Sequence, residues 1–251
     1  MRHLFSSEGE NALHAVMRLR PLLAFDFDGT LAPTVPRHHE ARVSKAVSRW
    51  ISQLSAIGPV AILTGRSVAD VSSRLGFVPR YIVGSHGGEA PAGLRGGSAG
   101  ALDAVRDRLA WHAAGLYEAG VQIEDKRHSL ALHYRLSRDH LLATTRIAEA
   151  LGEPHASLRI FSGKCAVNVV PADAPDPGEA VAALVRACGA GAAVYVGDDR
   201  NDEPVFARAE CDWLTVRIGR EDRHSRAHFF LDSPSEVATL LQKMLALLKG
   251  R

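Results

Sequence analysis

Two carboxylates, Asp26 and Asp28, stand two residues apart at the end of the apolar run Leu22-Leu23-Ala24-Phe25. The run reads as a buried strand, Leu22–Phe27. A carboxylate buried at a strand end is costly unless something compensates it. A divalent cation would do so, and Gly29-Thr30 would let the chain turn sharply over such a site. Acid groups just past the carboxyl end of a central strand lie where open α/β sheets hold their ligands.

Three further groups carry chemistry. In Ile62-Leu63-Thr64-Gly65-Arg66, Thr64 puts a hydroxyl at the end of a second strand. Gly197-Asp198-Asp199-Arg200-Asn201-Asp202-Glu203 puts four acids after a later strand. Lys164 lies in the turn Ser162-Gly163-Lys164. Two acid-tipped strands of one parallel sheet can bring distant carboxylates within reach of one Mg²⁺, which takes few protein oxygens and keeps waters. Each group alone has a plainer reading. Asp-Gly is a turn signal, Thr64 could cap a helix, and acids at Asp198–Glu203 suit a helix N-terminus. Lys164 could be a solvated turn lysine. Their joint occurrence at strand ends favours a site.

The surrounding pattern supplies the elements to position them. Glu40–Ala56 has helical spacing in Val43, Val47, Trp50, Ile51 and Leu54. Pro59–Leu63 reads as a strand, Val68–Leu75 as a helix and Tyr81–Gly84 as a strand. This alternation implies parallel strands joined by right-handed crossovers. Pro91–Gly100 (PAGLRGGSAG) reads as a loop; no Lys-Ser/Thr follows it, so it is not a P-loop. Then come a helix (Ala101–Glu118), strands Val121–Glu124 and Ser129–Arg135, a helix (Arg138–Leu151), and strands Leu158–Phe161 and Cys165–Val170. That is an α+β module. After Pro171–Pro177 the parallel rhythm returns with Gly178–Cys188, Ala192–Val196, Asn201–Arg208, Trp213–Ile218 and a terminal helix, Ser235–Leu248. Ser233 or Ser235 could cap that last helix.

The expected fold is α/β: a Rossmann-like parallel-sheet core, residues 1–88 and 172–251, with an inserted α+β cap domain, residues 89–171. The 251 residues are 46% apolar, ample for a core, and Lys+Arg 30 against Asp+Glu 28 leaves +2. No basic run suggests nucleic acid or an anionic membrane surface. Cys165, Cys188 and Cys211 show neither metal-knuckle spacing nor a disulfide framework, which fits a reducing compartment. With no signal peptide and no span-length apolar run, a soluble cytoplasmic protein is expected. His128 and the pair His38-His39 read as surface residues.

At these residues the chain resembles the haloacid dehalogenase-like hydrolases. Asp26–Thr30 matches their D-x-D-G-T motif, Thr64 their strand-end hydroxyl, and Gly197–Asp202 their acidic cluster. Within that superfamily it is similar to trehalose-6-phosphate phosphatases. Gly84-Ser85-His86-Gly87-Gly88-Glu89 is like their G-x-HG-x-E. Glu124-Asp125-Lys126 followed by His133-Tyr134-Arg135 is like their cap motif. Gly197–Glu203 with Phe206 is like GDD-x-x-DE-x-x-F.

The resemblance implies a two-step phosphoryl transfer from a small sugar phosphate. Asp26 would be the nucleophile, Asp28 the acid and base, and Thr64 a donor to a phosphoryl oxygen. Mg²⁺ would be held by Asp26, the Asp28 carbonyl and Asp198, with Asp202 or Asp199 in support. Arg66, His86, Glu124, Lys126 and Arg135 would bind substrate. Functional coupling to a trehalose-6-phosphate synthase would follow. Two positions depart from the pattern. Pro177 stands where the family has a lysine, so Lys164 or Arg66 is the expected substitute cation. Asn168 stands where the family has a sugar-contacting Glu. A different sugar-phosphate phosphatase, or a sugar-phosphate-binding protein with weakened turnover, is the alternative.

Overall fold

The computed structural model describes residues 1–35, 40–153, 156–163, 165–220, 222 and 224–250. Side-chain caps start many of the helices. β1 (Arg2–His3) leads to α1 (Ser7–Met17), capped by Ser6, which accepts from the Gly9 amide. β2 (Leu22–Asp26) is followed by α2 (Lys45–Ser55), capped by Ser44. After β3 (Val60–Leu63), α3 (Val68–Leu75) runs from its cap Ser67 to Gly76, whose left-handed φ of 68° ends it. β4 (Tyr81–Val83) closes this stretch.

The next elements are α4 (Asp103–Trp111), α5 (Ala113–Glu118), β5 (Gln122–Asp125) and β6 (Leu130–His133). α6 (His140–Leu151), capped by Asp139, β7 (Leu158–Gly163) and β8 (Ala166–Pro171) follow. The chain then forms α7 (Pro177–Cys188), β9 (Ala193–Gly197), α8 (Glu203–Arg208), β10 (Trp213–Ile218), β11 (Phe229–Leu231) and α9 (Val237–Lys249).

The chain divides into two compact units, Met1–Gly84 with Asp176–Arg251, and Ser85–Pro175. The first holds a seven-stranded sheet in the order β1-β11-β10-β9-β2-β3-β4, parallel throughout. Alternate positions Leu23 and Phe25, Val60 and Ile62, and Val194 and Val196 form a core with Ile51 and Leu54 of α2 and Leu240 and Met244 of α9. Strand side chains alternate between faces, so strands covered on both sides must be apolar at every position; β3 is buried throughout.

The second unit holds an antiparallel sheet, β5-β6-β8-β7. Leu130, Leu132 and Val169 pack against Val105 and Leu109 of α4, Leu116 of α5 and Ile147 of α6. The fold is therefore α/β with an inserted α+β unit, as the alternation of patterns predicts.

Local details differ from the sequence reading. The single helix expected over Ala101–Glu118 is two, broken at His112. Ser233 and Ser235 bond to each other, and neither caps α9, which follows a 3₁₀ turn, Pro234–Glu236. β1, α1 and β11 were not read at all. His128 is half-buried rather than a surface residue. His38, His39 and Lys164 lie outside the described residues. No helix among the described residues is long and apolar enough to cross a membrane.

Candidate active site

In a parallel sheet all strands present their carboxyl ends at one edge. β2 lies between β9 and β3, with Phe25 opposite Val196 and Asp26 opposite Leu63. The residues that leave those three strand ends are Asp26, Thr64 and Asp198. Carboxylate oxygens of Asp26, Asp198 and Asp202 lie within 4.8 Å of one another. Two glycines make this approach feasible. At Gly29, with φ of 88°, a Cβ would fall 2.1 Å from Asp198 Oδ2. At Gly197 it would fall 2.3 Å from Asp202 Cγ.

Crowding like charges in a partly dry site has a titration signature. Asp26 is held well above the usual carboxylate range, first by burial and then by the charges of Asp202, Asp198 and Asp28. Asp202 is pushed up to about 7 by burial, although hydrogen bonds from Tyr195 and the Asp199 amide oppose that. Tyr195 donates to Asp202 Oδ1 at 2.6 Å, and the Asp199 amide donates to Oδ2 at 2.8 Å. Three clustered carboxylates are hard oxygen donors that suit Mg²⁺, and a bound divalent cation would reverse the like-charge penalty. The residues present fit that ion.

The other acids of the cluster have different partners. Asp199 caps the turn after β9, accepting from the Arg200 amide. Glu203 turns to Arg217, which donates at 3.0 Å. Asp28 is gripped by Arg66 through two bonds of 2.7 Å, Nε to Oδ2 and Nη2 to Oδ1. Arg66 Nη1 donates to Asp70 at 2.8 Å, and the guanidinium lies over the Phe27 ring at 5.2 Å. Burial opposes the guanidinium charge, yet the bonds to Asp28 and Asp70 outweigh it and hold its pKa above the ordinary value. Thr64 Oγ1 accepts from the Arg66 amide at 3.1 Å, which leaves the hydroxyl hydrogen for a ligand oxygen. Pro177 is the first residue of α7, behind a capping box in which Asp176 and Glu179 satisfy each other's backbone amides.

The inserted unit carries a polar cluster of its own, and register explains it. Glu124 pairs with Ala131, Ala131 with Asn168, and Asn168 with Phe161. These four therefore share the sheet face opposite the one packed on helices. His133 and Arg159 sit two residues along on the same face. His86, whose backbone is left-handed at φ 53°, adds its ring, edge-on to Phe161 at 5.1 Å. Burial, then the charges of Lys126 and Arg159, pushes His86 down to about 3. Lys126 Nζ lies 3.4 Å from Glu124 Oε2 and His133 Nε2 lies 2.8 Å from the same oxygen. Burial works against the Glu124 charge, but these partners prevail and hold its pKa down to about 2.

So Asp26, Asp198 and Asp202 meet in one unit, with Asp28, Arg66 and Thr64 linked beside them in sequence and by hydrogen bonds. His86, Glu124 and Lys126 meet in the other. Arg135 is half-buried two residues beyond β6. Sequence reasoning missed Tyr195, Arg159 and Phe161, and quoted His133 in the cap motif without giving it a role; His133, Arg159 and Phe161 lie on strands. The last three carry a signal, alternate spacing on strands, that becomes readable only once strand neighbours are known.

The trehalose-phosphatase family model matches residues 24–235. The chain belongs to that family. A trehalose-phosphate phosphatase of Mycobacterium marinum is 32% identical over 94% of this chain and 65% of the relative. An uncharacterized glycosyl hydrolase of Mycobacterium tuberculosis is 33% identical over 90% of this chain and 18% of its own length. The chain thus spans less than two thirds of these relatives. Among solved structures, the C-terminal domain of the C. albicans trehalose-6-phosphate phosphatase aligns with a TM-score of 0.76 at 22% identity, covering 96% of both chains. That likeness establishes the shared fold.

Proposed function

We propose that this chain is a phosphatase that hydrolyses trehalose 6-phosphate to trehalose and phosphate. The observation that carries the reading is the meeting of Asp26, Asp198 and Asp202 at the strand ends beside Asp28 and Thr64, within a trehalose-phosphatase family member. Asp26, the Asp28 carbonyl, Asp198 and Asp202 would hold Mg²⁺, which when bound would offset the negative charge of nucleophile and phosphate. Asp26 attacks phosphorus, forming an aspartyl-phosphate as the bond to the sugar oxygen breaks. Asp28 gives its proton to that leaving oxygen. A water then attacks phosphorus, Asp28 takes the water's proton, and phosphate leaves. The two bonds from Arg66 fix the carboxylate of Asp28 for both proton transfers, and the Thr64 hydroxyl donates to a phosphoryl oxygen.

Residues 89–171 would act as the cap that selects substrate. His86, Glu124, Lys126 and Arg135 would meet the sugar there, and Lys164 would supply the cation absent at Pro177. The enzyme would act in the cytoplasm, downstream of a trehalose-6-phosphate synthase. Phosphate release from a panel of sugar phosphates with Mg²⁺ tests the reading. Trehalose 6-phosphate turning over no faster than glucose 6-phosphate would sink it. Pro177 favours one second reading, a binding protein with weakened turnover. Replacing Pro177→Lys separates the two: a steep rise in kcat at unchanged KM would support the weakened form.

A further inference from the structure

We infer that His133 is a positioning residue for substrate recognition: it holds Glu124 so that one carboxylate oxygen stays free for a sugar hydroxyl. The inference rests on the sugar-phosphate reading above. Glu124 lies opposite Ala131 in the β5–β6 ladder, and His133 is the diagonal neighbour two residues along the same face. The small side chain of Ala131 leaves room for the imidazole to lean across. His133 Nε2 then meets Glu124 Oε2 at 2.8 Å, and Lys126 Nζ approaches that same oxygen at 3.4 Å. Both donors therefore converge on Oε2. Among the described residues Oε1 has no partner, and the Glu124 side chain is 51% exposed. A carboxylate accepts through both oxygens, so the pinned one fixes the direction in which the open one points.

Asn168 makes this arrangement matter more. It shares the face and is 5% exposed. A neutral amide there leaves Glu124 as the anionic acceptor of the cluster. Without His133, Glu124 would lose the bond that most lowers its pKa, keep its approach to Lys126 and regain rotamer freedom. Ordering it again would fall on each binding event.

The test compares His133→Ala and His133→Gln with wild type, using trehalose 6-phosphate and p-nitrophenyl phosphate, which has no distal sugar. The Gln amide can donate in place of the imidazole. The expected result for His133→Ala is a KM for trehalose 6-phosphate raised about tenfold, the scale of one charge-assisted hydrogen bond. kcat should hold within about twofold, both constants for p-nitrophenyl phosphate should stay put, and His133→Gln should recover most of the loss. An unchanged KM in His133→Ala overturns the inference. So does an equal loss on both substrates, which would mark a loosened fold, or a Gln variant no better than Ala. If wild type leaves trehalose 6-phosphate intact, the substrate reading fails separately. A calorimetric titration of the full chain with trehalose then decides: weaker binding by His133→Ala supports the positioning role, and equal binding or none by wild type overturns it.

Discussion

Arg66 offers the most direct test of how the site is built. Its side chain is 9% exposed, and it makes two 2.7 Å bonds to Asp28 and one of 2.8 Å to Asp70. Removing one partner of a buried ion pair costs about 3–5 kcal/mol, because the other charge is left dry. Here the carboxylates left behind are 39% and 35% exposed, so water can reach them. The expected loss for Arg66→Ala is therefore smaller, about 2–3 kcal/mol, of which roughly 1 is the contact with Phe27. In a chain of this size that lowers Tm by about 5–10 °C. Arg66→Lys should recover less than half, since an ammonium cannot span both Asp28 oxygens. Urea unfolding of Arg66→Ala, Asp28→Asn and the double variant measures the coupling, expected at about 1–2 kcal/mol. In Arg66→Ala kcat should fall about 10²-fold, because Asp28 loses its fixed direction. Additivity within about 0.5 kcal/mol would refute the claim that the fork organises Asp28.

Asp26→Asn should abolish turnover and raise the stability of the metal-free chain by about 0.5–2 kcal/mol, since it removes one of several crowded charges. Mg²⁺ should raise the Tm of wild type and not of the variant; a destabilised metal-free variant would contradict the crowding argument. His86 should make the chain acid-sensitive. Its folded pKa of about 3 lies below the unfolded value, so stability is full above about pH 6.5 and is lost as pH falls towards 3. By pH 5 that loss is about 2 kcal/mol from this group. Asp26 and Asp202, whose pKa values are raised, act in the opposite direction, so the quantity to measure is the difference between wild type and His86→Asn. Asn accepts the left-handed backbone, and an identical pH slope in both proteins would reject the assignment. Tyr195→Phe should cost about 1.5 kcal/mol by leaving Asp202 Oδ1 without its phenol, and should weaken Mg²⁺ binding in calorimetry; unchanged unfolding and unchanged affinity would count against it.

What the sequence disclosed tracks the strength of local signals. β10 and α3 have the predicted bounds, Trp213–Ile218 and Val68–Leu75. The first is a continuous apolar-rich run, and the second lies between a capping Ser67 and a left-handed Gly76. β1 and β11, two and three residues long, are too short to show any period, and tertiary pairing alone defines them. Asp26, Thr64 and Asp198 were legible because each follows an apolar run. Tyr195 was not, because a tyrosine inside a buried strand looks like core until the acid it serves folds back onto it. The His133–Glu124 contact needed the β5–β6 register, and the ring contact of His86 with Phe161 joins residues 75 positions apart in sequence.

Pro177 shows two physical demands meeting at one position. Proline at the first turn of a helix loses no hydrogen bond, and its fixed φ suits the helix. Asp176 and Glu179 complete the start of α7 with reciprocal caps. The segment is therefore strongly suited to beginning a helix. A lysine there would keep the caps and add a cation, which the helix dipole disfavours at an N-terminus but which a phosphoryl group would welcome. Nor is Arg66 held in reserve, since Asp28 and Asp70 engage its three guanidinium nitrogens. At Pro177 the structure thus shows a well-made helix start and no cation. Under the proposed function, charge compensation of a phosphoryl group would rest on the ion suited to Asp26, Asp198 and Asp202. Pro177→Lys should therefore lessen the dependence of turnover on Mg²⁺, read as kcat against Mg²⁺ concentration, and an unchanged dependence would refute this reasoning.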